Sequence, residues 1–359
     1  MLSVLLLFAC GRLTEILTPA PALVCSSDTD PLAQAFPLGA RVVTRSAKGA
    51  VAVRGADLEV DRMLLPSGAA VIGHAGEDLL VAFADGRTAA LDSSGTLVFG
   101  PSVAGVPAWI GESGGRRLAV GLRAPPVVER PAPSPPDAGI VTENALGLGP
   151  VDLSEVVLDL VDLTDGSHRS VTMALRKQYG NLEVPSAVLA TDEALYIGWD
   201  WGEFGGGYAR VDLADVSARA VPGAPIYGFA RVADEVWMHG GTMHMGMLLT
   251  NIATADDPQR GLYAASNYDK PPPPGPVLPI THIVEGPGDA LTVLAYSDIW
   301  RADRALARWD KVDMLDLRYE PGRPDAVGTY PAVTAAWRDA QGRLVLATRG
   351  NGMCVLDPP

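Results

Sequence analysis

The chain has 359 residues, 48% of them hydrophobic and 19% charged, with a formal charge of −14. That apolar share excludes global disorder. The acidity excludes nucleic-acid binding, which needs a basic footprint, and charge-driven docking on an anionic membrane face.

Thirty-nine glycines and thirty prolines are spread along the chain. They interrupt nearly every helical window, so many short strands joined by turns are expected. The N-terminus opens with an uncharged apolar run, Leu2 to Ala9, closed by Cys10. Eight residues cannot span a bilayer, which takes roughly 20 in a helix, but they suit the core of a signal peptide. "LFAC", residues 7–10, resembles a bacterial lipobox. The resemblance implies an exported protein, lipidated at Cys10 and anchored in the bacterial envelope on its periplasmic or surface side. In such an oxidising compartment the two remaining cysteines, Cys25 and Cys354, are an even pair that a disulfide could join, or two free thiols.

Residues 11–40 read as a tether passing into a first strand, and 41–359 as one all-β body. Asp85-Gly86, Asp165-Gly166 and Gln341-Gly342 sit between β-prone runs, as hairpin turns should. Internal similarity organises the rest. "LYIGWDWGEFGGGYARVDLA" from Leu195 aligns without gaps on "VWMHGGTMHMGMLLTNIATA" from Val236. Similar units start near 79, 118, 291 and 344, with a weaker copy at Val51. Each is an apolar strand, a Gly- or Asp-containing turn, and a second strand often ending at Asp. The one long gap holds a proline-rich insert near 124–150.

An all-β repeat of roughly 40–50 residues is the signature of propeller blades, each a four-stranded sheet. The expected fold is a β-propeller of six or seven blades; two all-β domains flanking the insert are the alternative. Residues 344–357, "LVLATRGNGMCVLD", resemble the repeats of bacterial two-component-regulator propellers. That resemblance implies ring closure by N- and C-terminal strands in one blade, where a Cys25–Cys354 bond would reinforce it. "PPPPGP", 271–276, reads as a stiff polyproline II spacer.

Chemistry is sparse. "GESGG", 111–115, matches the G-x-S-x-G elbow formally, but a strand follows where a helix is needed, so Gly114-Gly115 is expected to be a hairpin turn. No zinc-protease, phosphate-loop or dinucleotide motif is present. His168 is expected to be exposed, and His74 and His282 to be structural. Metal-dependent propeller hydrolases hold an ion in the central channel with residues from different blades; Glu203 and Asn351 are the candidates here, and they form no recognisable set.

Two stretches stand out. In "WDWGEF", Trp199, Asp200, Trp201, Glu203 and Phe204 put aromatic faces beside carboxylates, which suits a sugar, while packing between blades is the alternative. "MHGGTMHMGM", 238–247, gathers soft thioether and imidazole donors. His239, Met243, His244 and Met245 would suit copper(I) if the whole stretch were a hairpin loop. A tight turn at Gly240-Gly241 would instead line Met243, Met245 and Met247 along one packing face. The function expected is non-enzymatic: a monomeric propeller with no resident cofactor, held at the membrane by its lipid alone. It would bind a protein or saccharide partner through rim loops. A hydrolase with a channel metal, or soft-metal binding at 239–247, is the alternative.

Overall fold

The computed structural model describes residues 23–26, 31–125, 153–176, 182–201, 205–244, 247–315, 333–350 and 352–357. Cys10, Glu203, Phe204, Met245 and Asn351 lie outside these, as does most of the proline-rich insert.

Strands pair into seven four-stranded antiparallel sheets. Blades I to VI span 32–65, 69–99, 106–176, 187–223, 228–266 and 280–314. Blade VII takes three strands from 333–356 and its fourth from Leu23–Cys25. In each blade the strands run from the channel outwards as a, b, c and d. Strand a of every blade packs on strand a of the next, and blade VII packs on blade I, so the sheets form a closed ring. This is a seven-bladed β-propeller, and the ring rules out two separate domains.

Alternation explains why these residues build it. A strand buried on both faces needs apolar side chains at consecutive positions. In strand b of blade VI, Leu291, Val293 and Ala295 face blade V, while Leu294 faces blade VII. In blade VII, Leu344 and Leu346 face blade VI, while Val345 and Ala347 face blade I. The same division gives seven apolar clusters, one for each pair of neighbouring blades. There is no single core; the ring holds because every blade is wedged between two others.

The repeats read in sequence are the b–c hairpins. Starts near 79, 118, 195, 236, 291 and 344 fall on strands b of blades II to VII. Blade I departs from the reading: Val51–Arg54 is its strand c, and strand b is Arg41–Ser46. That strand, Arg-Val-Val-Thr-Arg-Ser, has only two consecutive apolar residues, so no apolar run marks it. Its neighbour Arg54 is buried and donates to Thr44 Oγ1 at 3.1 Å and to the Leu58 carbonyl at 2.9 Å.

Asp85-Gly86, Asp165-Gly166 and Gln341-Gly342 all lie in hairpin turns. Gly114 and Gly115 have φ of 56° and 70°, joining Val106–Ser113 to Arg116–Arg123. Ser113 is buried, and its hydroxyl donates to the Thr191 carbonyl, so it is no nucleophile elbow.

Leu23, Val24 and Cys25 pair with Leu356, Val355 and Cys354, and the two cysteines form a disulfide. Ser26 extends the clasp: its amide donates to the Met353 carbonyl at 2.7 Å, and its hydroxyl accepts from the Met353 amide at 3.0 Å.

Candidate binding face

Strand polarity gives the ring two unlike faces. Connections a–b and c–d leave one side and are short; this is the turn face. Connections b–c and d–a leave the other, the connection face. On the latter, the longest intervals between consecutive strands begin and end: Arg123 to Leu153, Arg176 to Ala187, Ser266 to Ile280 and Met314 to Val333. The chain enters strand Leu23–Cys25 at the turn face, because Leu23 lies opposite Leu356, the last residue of strand c.

The connection face carries exposed apolar side chains around the ring. Phe99 ends strand d of blade II and is 53% exposed, and Met314 ends strand d of blade VI at 61%. Val184 is 58% exposed between blades III and IV, and Tyr268 is 64% exposed between blades V and VI. Val106, the first residue of blade III, joins them. The Phe99 ring stands 6.0 Å from that of Phe83, and the Arg87 guanidinium lies over both rings at 5.2 and 5.4 Å. A half-exposed aromatic held beneath a cation is an anchoring surface.

The tryptophan stretch divides. Trp199 has no exposed surface; it packs between blades III and IV, and its indole N–H donates to the Leu182 carbonyl at 3.1 Å. It therefore offers a ligand no stacking face, which corrects the sugar-stacking expectation for this residue. Trp201 is half-buried over the same cluster, and its amide closes the hairpin on Gly205 at 2.9 Å. Asp200 is exposed at the end of strand b. Tyr227 lies close by, and its phenol is pushed up by burial and by the Asp200 charge.

The methionine stretch is neither of the two hairpins expected. Glu235–His244 is one continuous strand, and His244 pairs with Met247, so the strand runs on past Gly240-Gly241. Gly240 and Gly241 are not a turn. They sit mid-strand where other segments press in: a Cβ at 240 would stand 2.0 Å from the Pro225 carbonyl oxygen, and one at 241 would stand 2.3 Å from that of Leu249. Positions 239 and 244 of this strand are about 16 Å apart along the backbone. Of the set expected at His239, Met243, His244 and Met245, the two histidines are therefore well separated along one strand, and Met245 lies outside the described residues.

His239 instead meets a residue distant in sequence. Its ring is buried 5.9 Å from that of His282, which lies on the innermost strand of blade VI. His239 Nδ1 donates to the Ile280 carbonyl at 3.1 Å. Burial and the facing His282 ring hold His239 down to about 3, and burial holds His282 down to about 4, so both imidazoles are neutral. His282 Nδ1 is buried without a hydrogen-bond partner, so the ring is not the satisfied structural histidine expected. His74 is exposed, with Nδ1 3.2 Å from the Gly76 carbonyl oxygen. His168 is exposed as expected and sits 3.2 Å from the buried Asp159 carboxylate. The polyproline segment is strapped to its blades, with the Gly275 amide donating to the Tyr263 hydroxyl at 3.1 Å and that hydroxyl donating to the Pro276 carbonyl at 3.0 Å.

No protein-family profile matches the chain, and no curated protein matches it in sequence. Solved structures do match in shape. A chain of the mitotic checkpoint complex superposes with a TM-score of 0.55 at 10% identity, covering 100% of this chain and 98% of its own. The β-propeller domain of Cps50 (Swd1) from Myceliophteria thermophila superposes at 0.50 and 14% identity, covering 94% and 99%. At such identities the likeness establishes the propeller fold and nothing finer. Among the described residues, no helix is long and apolar enough to cross a membrane, and no three His, Cys, Asp or Glu residues group as a metal site.

Proposed function

We propose that this chain is a non-enzymatic, exported propeller that binds a folded protein partner through its connection face while a lipid on Cys10 holds it to the membrane. The observation that carries this reading is the ring of exposed apolar side chains, Phe99, Val106, Val184, Tyr268 and Met314, spread over blades II to VI. Separate apolar contacts distributed around a rim suit a broad protein surface, whereas a sugar needs one cleft with converging polar groups. Strand polarity agrees, because the tether joins the opposite face and leaves the rim directed away from the anchor.

The test is in-cell cross-linking and mass spectrometry on the full chain beside a Phe99→Ser, Tyr268→Ser, Met314→Ser variant. A partner captured by the native chain and lost at least tenfold in the variant supports the reading. Equal capture by both chains overturns it. Metabolic labelling with an alkynyl fatty acid tests the anchor separately: label should be incorporated by the native chain and vanish in Cys10→Ser.

A further inference from the structure

Buried imidazoles are costly ornaments unless their nitrogens are satisfied. At the blade V–VI seam two of them lie side by side, each set against main chain. His239 Nδ1 is on the Ile280 carbonyl. The His282 ring lies against the Thr334 backbone, and its Nδ1 is buried without a partner. Each ring is therefore oriented by main chain and keeps one nitrogen as a lone pair. Metal-binding histidines are oriented in this way, with the non-ligating N–H given to a carbonyl.

The spacing is compatible with one shared ion. A nitrogen–metal bond of roughly 2 Å puts the ion about 3 Å from each ring centre, so two rings in a near-linear arrangement stand about 6 Å apart. Here they stand 5.9 Å apart. His239 Nε2 points at Gly228, where a Cβ would stand 2.6 Å from it. Glycine leaves that lone pair open, which a methyl group would obstruct. His282 is half-buried on an innermost strand, and its unpartnered Nδ1 lies inside the seam.

Charge selects the ion. Among the described residues no carboxylate or thiolate completes a group of three around the pair. A divalent ion would bring two uncompensated charges into a desolvated seam, and the cost of burying charge rises with its square. Zinc would also miss the third and fourth protein donors it takes. A monovalent d10 ion accepts two neutral nitrogens.

We propose that His239 and His282, one imidazole from each side of the blade V–VI seam, form a two-donor site for copper(I). The site differs from the methionine-and-histidine stretch in sequence, because it takes only His239 from it and recruits its second donor 43 positions later.

The test is anaerobic competition for copper(I) against a chromophoric chelator, using the full chain with its disulfide intact. The native protein should withdraw one copper per chain. His282→Leu and Gly228→Ala should each weaken uptake roughly 100-fold, the first by removing a donor and the second by blocking one with both histidines present. Thermal melts identify any variant that has lost its fold, and Gly228→Ala keeps the test open if His282→Leu is unstable. Met243→Ala/His244→Ala should bind as the native chain does. Absence of uptake by the native chain overturns the proposal. So does full uptake by folded His282→Leu, or uptake abolished by Met243→Ala/His244→Ala.

Discussion

The two faces of the ring handle their polar groups in opposite ways. On the turn face the c–d connections of blades I to VI each carry an aspartate that accepts from nearby main-chain amides. Asp57 takes Glu59, Asp92 takes Ser94 and Thr96, Asp165 takes Ser167, Asp215 takes Ser217, Asp257 takes Gln259 and Asp303 takes Ala307. The Ser217 hydroxyl and amide hold the Asp215 carboxyl below the usual carboxylate range, as the Ser94 hydroxyl and Thr96 amide do for Asp92. These carboxylates complete turns. On the connection face the loops are long, and apolar side chains stand exposed at the strand ends. One face closes on itself; the other is left to be covered.

Four perturbations break or sharpen this contrast. The largest effect is expected from Trp199→Ala, which empties the seam beneath the connection face and should cost about 3–5 kcal/mol. Trp201→Ala, two positions along and half-exposed, should cost under about 1 kcal/mol. Equal losses in urea melts would mean that both tryptophans serve the core.

Breaking the clasp comes next. Cys25→Ser/Cys354→Ser should lose about 2–5 kcal/mol, since the bond closes a very long loop in the unfolded chain. Hydrogen exchange should rise first in blade VII, and a uniform rise around the ring would contradict a local clasp.

Acid should act on the seam between blades V and VI. The His239 and His282 imidazoles titrate at about 3 and about 4 in the folded chain, below their ordinary 6.5. The unfolded chain therefore takes up protons first. Their contribution to stability is complete above pH 6.5 and is lost as pH falls from there toward 4. Urea midpoints at pH 7 and pH 5 should differ less in His239→Asn/His282→Asn than in the native chain; an undiminished difference would assign the acid sensitivity elsewhere.

The smallest effects separate the faces most cleanly. Asp215→Ala should cost a small, measurable amount of stability by leaving the Ser217 amide without its acceptor. Phe99→Ser, Tyr268→Ser and Met314→Ser should each change stability by under about 0.5 kcal/mol. A rim substitution that destabilised more than Asp215→Ala would show that the exposed side chains hold the fold.

Much of this architecture was legible for one reason. Strands b are buried on both sides, so "LLVAF", "LTVLA" and "LVLAT" are nearly continuous apolar runs, and such runs mark six blades. The aspartates ending many repeats were visible too, and the structure gives them their role in turns. Blade I hid because Arg41, Thr44 and Arg45 interrupt its strand b, and a buried polar network around Arg54 replaces apolar continuity. At the candidate sites, composition misled. Tryptophans beside acids looked like a ligand surface, yet strand parity sends Trp199 inward. Gly240-Gly241 looked like a turn, yet those glycines admit the backbones of Pro225 and Leu249. The His239–His282 pair could not be read at all, because proximity across a seam leaves no trace in spacing. Neither could the rim, whose members share only the accident of ending or joining strands on one side.

The fourth strand of blade VII also has a consequence in time. Leu23–Cys25 lies near the start of the chain, and its partners Cys354 to Leu356 lie near the end. As the chain is made, blades I to VI can pair their own strands in turn. The strand at 23–25 must wait for more than 300 residues before its neighbour exists. An early segment is thus kept unpaired until the last one arrives, and the ring cannot lock before the whole body has been delivered to one compartment.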